Sequence, residues 1–552
     1  MKAWRHYLVV IVFLGACAGV AARVVVLNVT DREFLQEQGD LRAVRPQVLP
    51  AYRGVIYDRH GEPLAVSTPV AAVWTDPSFV RLSDDAIAQV ARVLERDPQA
   101  LAREIAANAG RQFLYLARRV PWDVAERVQA LGLDGVYIQR EYRRYYPAGE
   151  MAAHVVGMTN IDDLGLEGLE LSYDELLRGR PGLKTVLKNR RGETIKNLDY
   201  VRAPRFGGDV TLSIDLRLQF MAFRELKAAV AGHRARSGSL VMLDARTGEI
   251  LALVNEPSYN PNDLGPASRE GMRNRAITDT YEPGSTIKPF TVLAAIESGR
   301  WQPSTPIDTA PGYFRVGNKL VQDPVNRGTI TLRQALQKSS QVAIAKVALD
   351  LEQNAVFDVL LRAGIGDFVG TGLPGETAGH LSSHGLDHPV VRATLAYGYG
   401  LAVSPLQLAQ GYLTLASGGH RRPVSVLKQD SVPSGTPVFD ADDVRTVVRM
   451  MESVVEKEGT APAARVPGYR IAGKTGTSRK VGPGGYDDER HVALFAGLAP
   501  ASDPRFVIVV VINEPGGTAK GGGEVAAPVF GRVAARALRL LGVPPDGEPV
   551  AT

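Results

Sequence analysis

The chain has 552 residues, 45% of them apolar, and a formal charge of +5 from 64 basic and 59 acidic side chains, enough length and apolar content for about two to four domains with real cores. The basic residues are scattered, which leaves no stripe for nucleic acid. A single cysteine, Cys17, excludes a disulfide framework and a cysteine-based zinc site, and the nine histidines show neither ligand spacing nor H-E-x-x-H.

At the N-terminus Lys2, Arg5 and His6 precede an uncharged run over residues 7–22, and Arg23 then leads into further apolar residues. Positive charge ahead of an apolar run predicts a cytoplasmic N-terminus with the remainder exported. The uncharged run alone is short for a membrane span. Counting past Arg23 to Val29 makes it adequate, because arginine near a helix end snorkels to the interface. A cleaved signal peptide is one alternative, and lipidation is another, since Leu14-Gly15-Ala16-Cys17 resembles a lipoprotein box. Apolar residues on both sides of Cys17 favour an uncleaved anchor in which Cys17 is a small buried residue.

Residues 53–59 and 61–65 read as strand, turn and strand. Residues 84–132 place apolar and charged side chains at helical spacing. Residues 143–147, 165–170 and 178–182 hold no catalytic constellation and read as turns and charge-paired surface. A domain boundary is expected near Gly207-Gly208-Asp209. Beyond it, residues 239–244 form an apolar strand, and 249–254 return as its hairpin partner. Helical periodicity dominates from about 285 to 460. Strands at 469–477, 491–498 and 506–513 follow. Strands at both ends of a helical insert predict an α+β domain, an antiparallel sheet covered by helices.

Within the helical stretch lies Tyr281-Glu282-Pro283-Gly284-Ser285-Thr286-Ile287-Lys288-Pro289-Phe290. A serine and a lysine three apart share one helix face, so the amine reaches the hydroxyl. Serine needs such a base to become a nucleophile. Pro283-Gly284 predicts a turn feeding a helix start, which puts Ser285 at the positive end of a helix dipole. Ser339-Ser340-Gln341 follows, then Lys474-Thr475-Gly476-Thr477. Taken singly, Ser339 also reads as a helix cap and Lys474 as a solvated lysine on an edge strand.

The order S-x-x-K, S-x-N-like, K-T-G resembles the active-site set of penicillin-binding proteins and serine β-lactamases. Gln341 departs from it, standing where asparagine is usual. Over nearly the whole chain the sequence resembles the class B penicillin-binding proteins, most closely their division-specific type, penicillin-binding protein 3, with the elongation type as nearest alternative. The resemblance implies a cytoplasmic tip and anchor over 1–29, a dimerisation-like pedestal over 30–208, a transpeptidase domain with a five-stranded antiparallel sheet over 209–542, and a tail over 543–552.

It further implies a serine D,D-transpeptidase of septal peptidoglycan, inhibited by β-lactams. Ser285 would be the nucleophile and Lys288 its base, with a pKa lowered by burial and by cations such as Lys474. Ser339 would relay a proton to the leaving amine. Lys474 with the Thr475 and Thr477 hydroxyls would grip the substrate carboxylate, beside Gly476 and Gln341. The amides of Ser285 and Thr477 would form an oxyanion hole, worth about 3 kcal/mol per donor. No metal or organic cofactor is implied. The expected partners are peptidoglycan and its lipid-linked precursors, β-lactams, the inner membrane, a division glycosyltransferase and other division proteins, with the catalytic domain in the periplasm.

Rival readings are less economical. Gly468-Tyr469-Arg470-Ile471-Ala472-Gly473-Lys474-Thr475 matches the phosphate-loop pattern, but a proline precedes it and no helix follows. Ser285 lies in no G-x-S-x-G elbow. A β-lactamase or β-lactam sensor leaves the long N-terminal region unexplained, and a non-enzymatic division scaffold needs none of Ser285, Lys288 and Lys474.

Overall fold

The apolar N-terminal run forms the helix Trp4–Val25, continued by the π-helical turn Val26–Thr30, in a computed structural model that describes residues 3–34, 44–78, 81–188, 194–265, 268–482 and 484–547. Its 27 residues reach about 40 Å at 1.5 Å each, more than the roughly 30 Å of bilayer hydrocarbon. No residue of this helix is buried by protein. Cys17 is exposed on this helix, which no protein face covers.

Two compact units divide the chain: Met1–Gly54, Ser67–Arg144 and Arg178–Gly208 in one, Val55–Val66, Tyr145–Leu177 and Asp209–Thr552 in the other. In the first, Val44–Leu49, Gly182–Lys188 and Thr194–Arg202 make a three-stranded antiparallel sheet. Helices Asp84–Val93, Pro98–Ala107 and Trp122–Ala130 occupy much of the stretch expected to be helical. Ser83 and Asp97 cap the first two by accepting from first-turn amides. The stretch is not helical throughout. Leu114–Val120 is a strand paired to residues 71–75, and buried Leu114 and Leu116 are two apart, the spacing of one strand face. Val73, Leu101, Leu116 and Val128 belong to the core of this unit.

The second unit is built on a five-stranded sheet in the order Ile250–Glu256, Ser237–Asp244, Phe506–Asn513, Gly485–Ala499, Ala472–Gly482. Every neighbouring pair is antiparallel. The middle strand, Phe-Val-Ile-Val-Val-Val-Ile-Asn, is buried along its whole length, as expected where helices flank a sheet. Helices Leu216–Gly232, Pro405–Ala416 and Ala527–Leu540 pack against these strands. The edge strand begins at Ala472, not 469, because Gly468 makes a turn at φ +80°. It also runs on to Gly482, so the Gly-rich stretch is only the tip of a hairpin. Lys474 and Thr475 therefore lie inside a strand, and no phosphate loop forms.

Candidate active site

Ser285 stands on a single 3-10 turn, Gly284–Ile287, that leads into the α-helix Lys288–Glu297 with Pro289 in its first turn. Side chains three apart eclipse in a 3-10 turn, which keeps Ser285 and Lys288 on one side. Gly284, at φ +52°, permits the reversal into the turn. Its amide donates to Gly398 O at 3.1 Å. From behind, buried Tyr412 donates its hydroxyl to Thr286 O at 2.8 Å. The turn lies directly on the edge strand. A Cβ added to Gly476 would stand 2.7 Å from Pro283 O and 2.9 Å from Thr286 Cγ2. The glycine of the K-T-G motif is thus required for packing.

Three of the residues singled out by sequence meet at one point. Lys288 Nζ donates to Ser339 O at 2.6 Å and to Ser339 Oγ at 3.2 Å. Lys474 Nζ reaches the same Oγ at 2.9 Å, and Thr475 O at 3.2 Å. Both lysines are 0% exposed, so Lys474 is not a solvated edge residue. Ser285 is half-buried, and among the described residues neither lysine is hydrogen-bonded to it.

Burial disfavours both ammonium forms. It lowers the Lys288 pKa to about 7; the field of Arg327 acts in the same direction and Asp323 opposes it. Burial and then repulsion from Lys288 hold Lys474 well below its ordinary value. Arg327, which the sequence did not suggest, is a further cation acting on Lys288, beside the mutual repulsion of the two lysines.

Ser339 adopts φ +58°, the left-handed region that a serine rarely occupies. That conformation turns its carbonyl to Lys288 and its hydroxyl to both amines. It is not the helix cap. Ser340 is, accepting from Ala343 N at 3.0 Å at the start of helix Gln341–Asp350. Ser340 Oγ in turn donates to Asp323 Oδ2 at 2.5 Å, and Gln341 N donates to Oδ1 at 2.6 Å. Asp323 belongs to no motif, yet it fixes this loop. The Gln341 side chain is half-buried and has no hydrogen bond among the described residues.

The two threonines differ. Thr475 is buried, its hydroxyl 2.8 Å from that of Thr460 and 3.3 Å from Lys474 Nζ. Thr477 is exposed and accepts from Gly522 N at 3.1 Å. Glu282, three residues before the serine, accepts at 3.0 Å both from Gly400 N and from the Tyr486 hydroxyl. It ties the turn to the hairpin tip, a long-range link with no local sequence signal.

Comparison with known proteins adds the family. Residues 238–535 match the penicillin binding protein transpeptidase domain, and residues 48–212 the penicillin-binding protein dimerisation domain. The chain is 40% identical over 543 residues to the probable peptidoglycan D,D-transpeptidase PbpC of Pseudomonas aeruginosa, covering 98% of this chain and 96% of that one. It is 43% identical over 548 residues to the peptidoglycan D,D-transpeptidase FtsI of Escherichia coli K12, covering 98% and 93%. Its structure resembles that of penicillin binding protein 3 from Mycobacterium tuberculosis complexed with aztreonam, with a TM-score of 0.71 and 28% identity over 92% of this chain and 100% of that one.

Proposed function

The chain belongs to the penicillin-binding protein transpeptidase family, and from that premise we propose that it cross-links septal peptidoglycan through an acyl-enzyme on Ser285. The observation that carries the proposal is the Ser339 hydroxyl held between two buried lysines whose ammonium forms are disfavoured.

Neutral Lys288 takes the Ser285 proton as Oγ attacks the carbonyl between the two terminal D-alanines of a donor stem peptide. The amides of Ser285 and Thr477 receive the oxyanion. The C–N bond breaks, and the departing D-Ala amine takes a proton through Ser339 Oγ, which recovers one from the lysine pair. An acceptor amine then attacks the ester and gives a proton to Lys288, which passes it to Ser285 Oγ as the ester C–O bond breaks, leaving the amide cross-link and the free hydroxyl. Lys474 lies near the donor carboxylate, whose negative charge favours the ammonium form that burial disfavours in the free protein, and exposed Thr477 offers a hydroxyl. Gln341 stands where an amide contacts the donor backbone. No metal or organic cofactor has a part in these steps.

The N-terminal helix is read as a single span of the inner membrane, with Lys2, Arg5 and His6 on the cytoplasmic side and the catalytic domain in the periplasm. Residues 1–29 are then tip and anchor, 30–208 the pedestal, 209–542 the transpeptidase domain and 543–552 a tail. The pedestal is the surface proposed for a division glycosyltransferase and other division proteins.

The test is reconstitution with a polymerising glycosyltransferase and lipid-linked precursor. Cross-linked dimers should form with one D-alanine released per link. Release of D-alanine without cross-links would instead identify a carboxypeptidase.

A further inference from the structure

A cavity of about 530 Å³ is lined by residues that flank the serine turn and the edge strand in sequence. Tyr281, four residues before Ser285, and Lys480, three beyond Thr477, both line it. At about 3.3–3.6 Å per extended residue, the chain itself holds both within roughly 10–14 Å of the reacting serine turn and strand.

The lining carries five cations, Arg236, Arg269, Arg273, Arg275 and Lys480, against two carboxylates, Glu270 and Asp279. Part of that charge is matched. Arg273 pairs with Asp279, and Lys480 and Arg236 share Glu514 at 2.5 and 3.4 Å. Arg275 donates only to the carbonyls of Glu270 and Arg273, at 3.0 and 3.5 Å, and neither it nor Arg269 has a carboxylate partner among the described residues. Buried Ser237 and Asn513 add a neutral polar wall, joined by a 3.0 Å hydrogen bond. Two guanidiniums without carboxylates, over a polar wall, suit a planar oxyanion.

We infer that this cavity is a subsite for a carboxylate of a peptidoglycan stem peptide, remote from the bond that reacts. The inference rests on the transpeptidase reading. Donor and acceptor strands both bring such groups, and charge at this distance would act on binding while the chemistry at Ser285 is left alone.

The experiment measures acyl transfer from a thioester donor peptide to an acceptor peptide, each prepared with free side-chain carboxylates and in amidated form. Arg269→Glu and Arg275→Gln are compared with the native protein, and labelled-penicillin acylation is run in parallel. In the native protein, amidation of the recognised strand should raise its KM about three- to tenfold. The variants should show that same rise for the free peptide and none for the amidated one. The strand that responds identifies donor or acceptor. Added salt should weaken binding of the free form only. Penicillin should acylate all three proteins at one rate.

Equal KM for free and amidated peptides in the native protein overturns the subsite, even where a variant fails to fold. So does a variant effect of equal size on both forms. A native protein that penicillin does not acylate would count against the transpeptidase reading itself.

Discussion

Lys474 Nζ donates to Ser339 Oγ at 2.9 Å across a sequence separation of 135 residues, while Lys288 donates to the same residue's carbonyl at 2.6 Å. The edge strand, helix Lys288–Glu297 and the loop before helix Gln341–Asp350 are thereby joined through one serine. Ser339→Ala removes the hydroxyl from between two buried amines and leaves the backbone contact to Lys288. Acylation by a labelled penicillin should slow about 10²–10⁴-fold, with little change in melting temperature. A variant that acylates at the native rate would remove Ser339 from the proton path.

The pH dependence follows from Lys288. Its pKa falls from 10.5 to about 7 on burial, so the folded protein binds fewer protons than the unfolded chain between those values. This lysine therefore costs stability fully below pH 7, and the cost is relieved as pH rises from there toward 10.5. The acylation rate should climb with pH through an apparent pKa near 7 that belongs to the coupled lysine pair. Lys288→Met should melt no lower than the native protein at neutral pH and should fail to acylate. A rate independent of pH from about 5.5 to 8.5 would exclude Lys288 as the base.

Gly476→Ala tests the packing of the serine turn on the strand. The new methyl meets Pro283 O at 2.7 Å, so either strand or turn must shift. Overpacking of this kind costs about 1–3 kcal/mol, and here it displaces Ser285, the proposed nucleophile, as well. Thermal melting and acylation rate should both fall. A normal acylation rate would mean the turn has slack that the contact distances do not suggest.

Gln341 keeps the donor and acceptor of asparagine one methylene further out. Only its backbone amide is tied, to Asp323. Its side chain should therefore tune which β-lactams react fast, without deciding whether Ser285 reacts. Acylation rates for several β-lactams in the native protein and in Gln341→Asn would reveal a changed rank order. An unchanged order would make the substitution neutral.

For the N-terminus, protein recovered from membranes should begin at or near Met1 and carry no lipid on Cys17. A mature N-terminus at Cys17 bearing acyl chains would favour the lipoprotein alternative.

The candidate site was legible where short-range spacing carries it. Ser285 and Lys288, three apart, lie on one side of the serine turn, and Lys474, picked out by its motif, meets Lys288 at Ser339. Asp323 was not legible. It acts through a loop fold that brings it to Ser340 and Gln341, and an aspartate between Gln322 and Pro324 looks like any turn residue. Glu282 and Arg327 escaped for the same reason, since their effects are spatial. In the fold, apolar runs marked the central strands, but charged residues in Arg479-Lys480 and Asp487–Arg490 hid the extension of the last hairpin past its buried part. Strand Leu114–Val120 was lost inside a stretch whose average spacing is helical.

The account stands on Ser285 as the acylated residue. Incubation with a labelled penicillin, followed by intact-mass analysis and peptide mapping, tests that directly. One covalent adduct is expected, located on the peptide containing Ser285, released slowly and absent from Ser285→Ala. An adduct of equal yield in Ser285→Ala, or one mapped to another residue, would contradict the account.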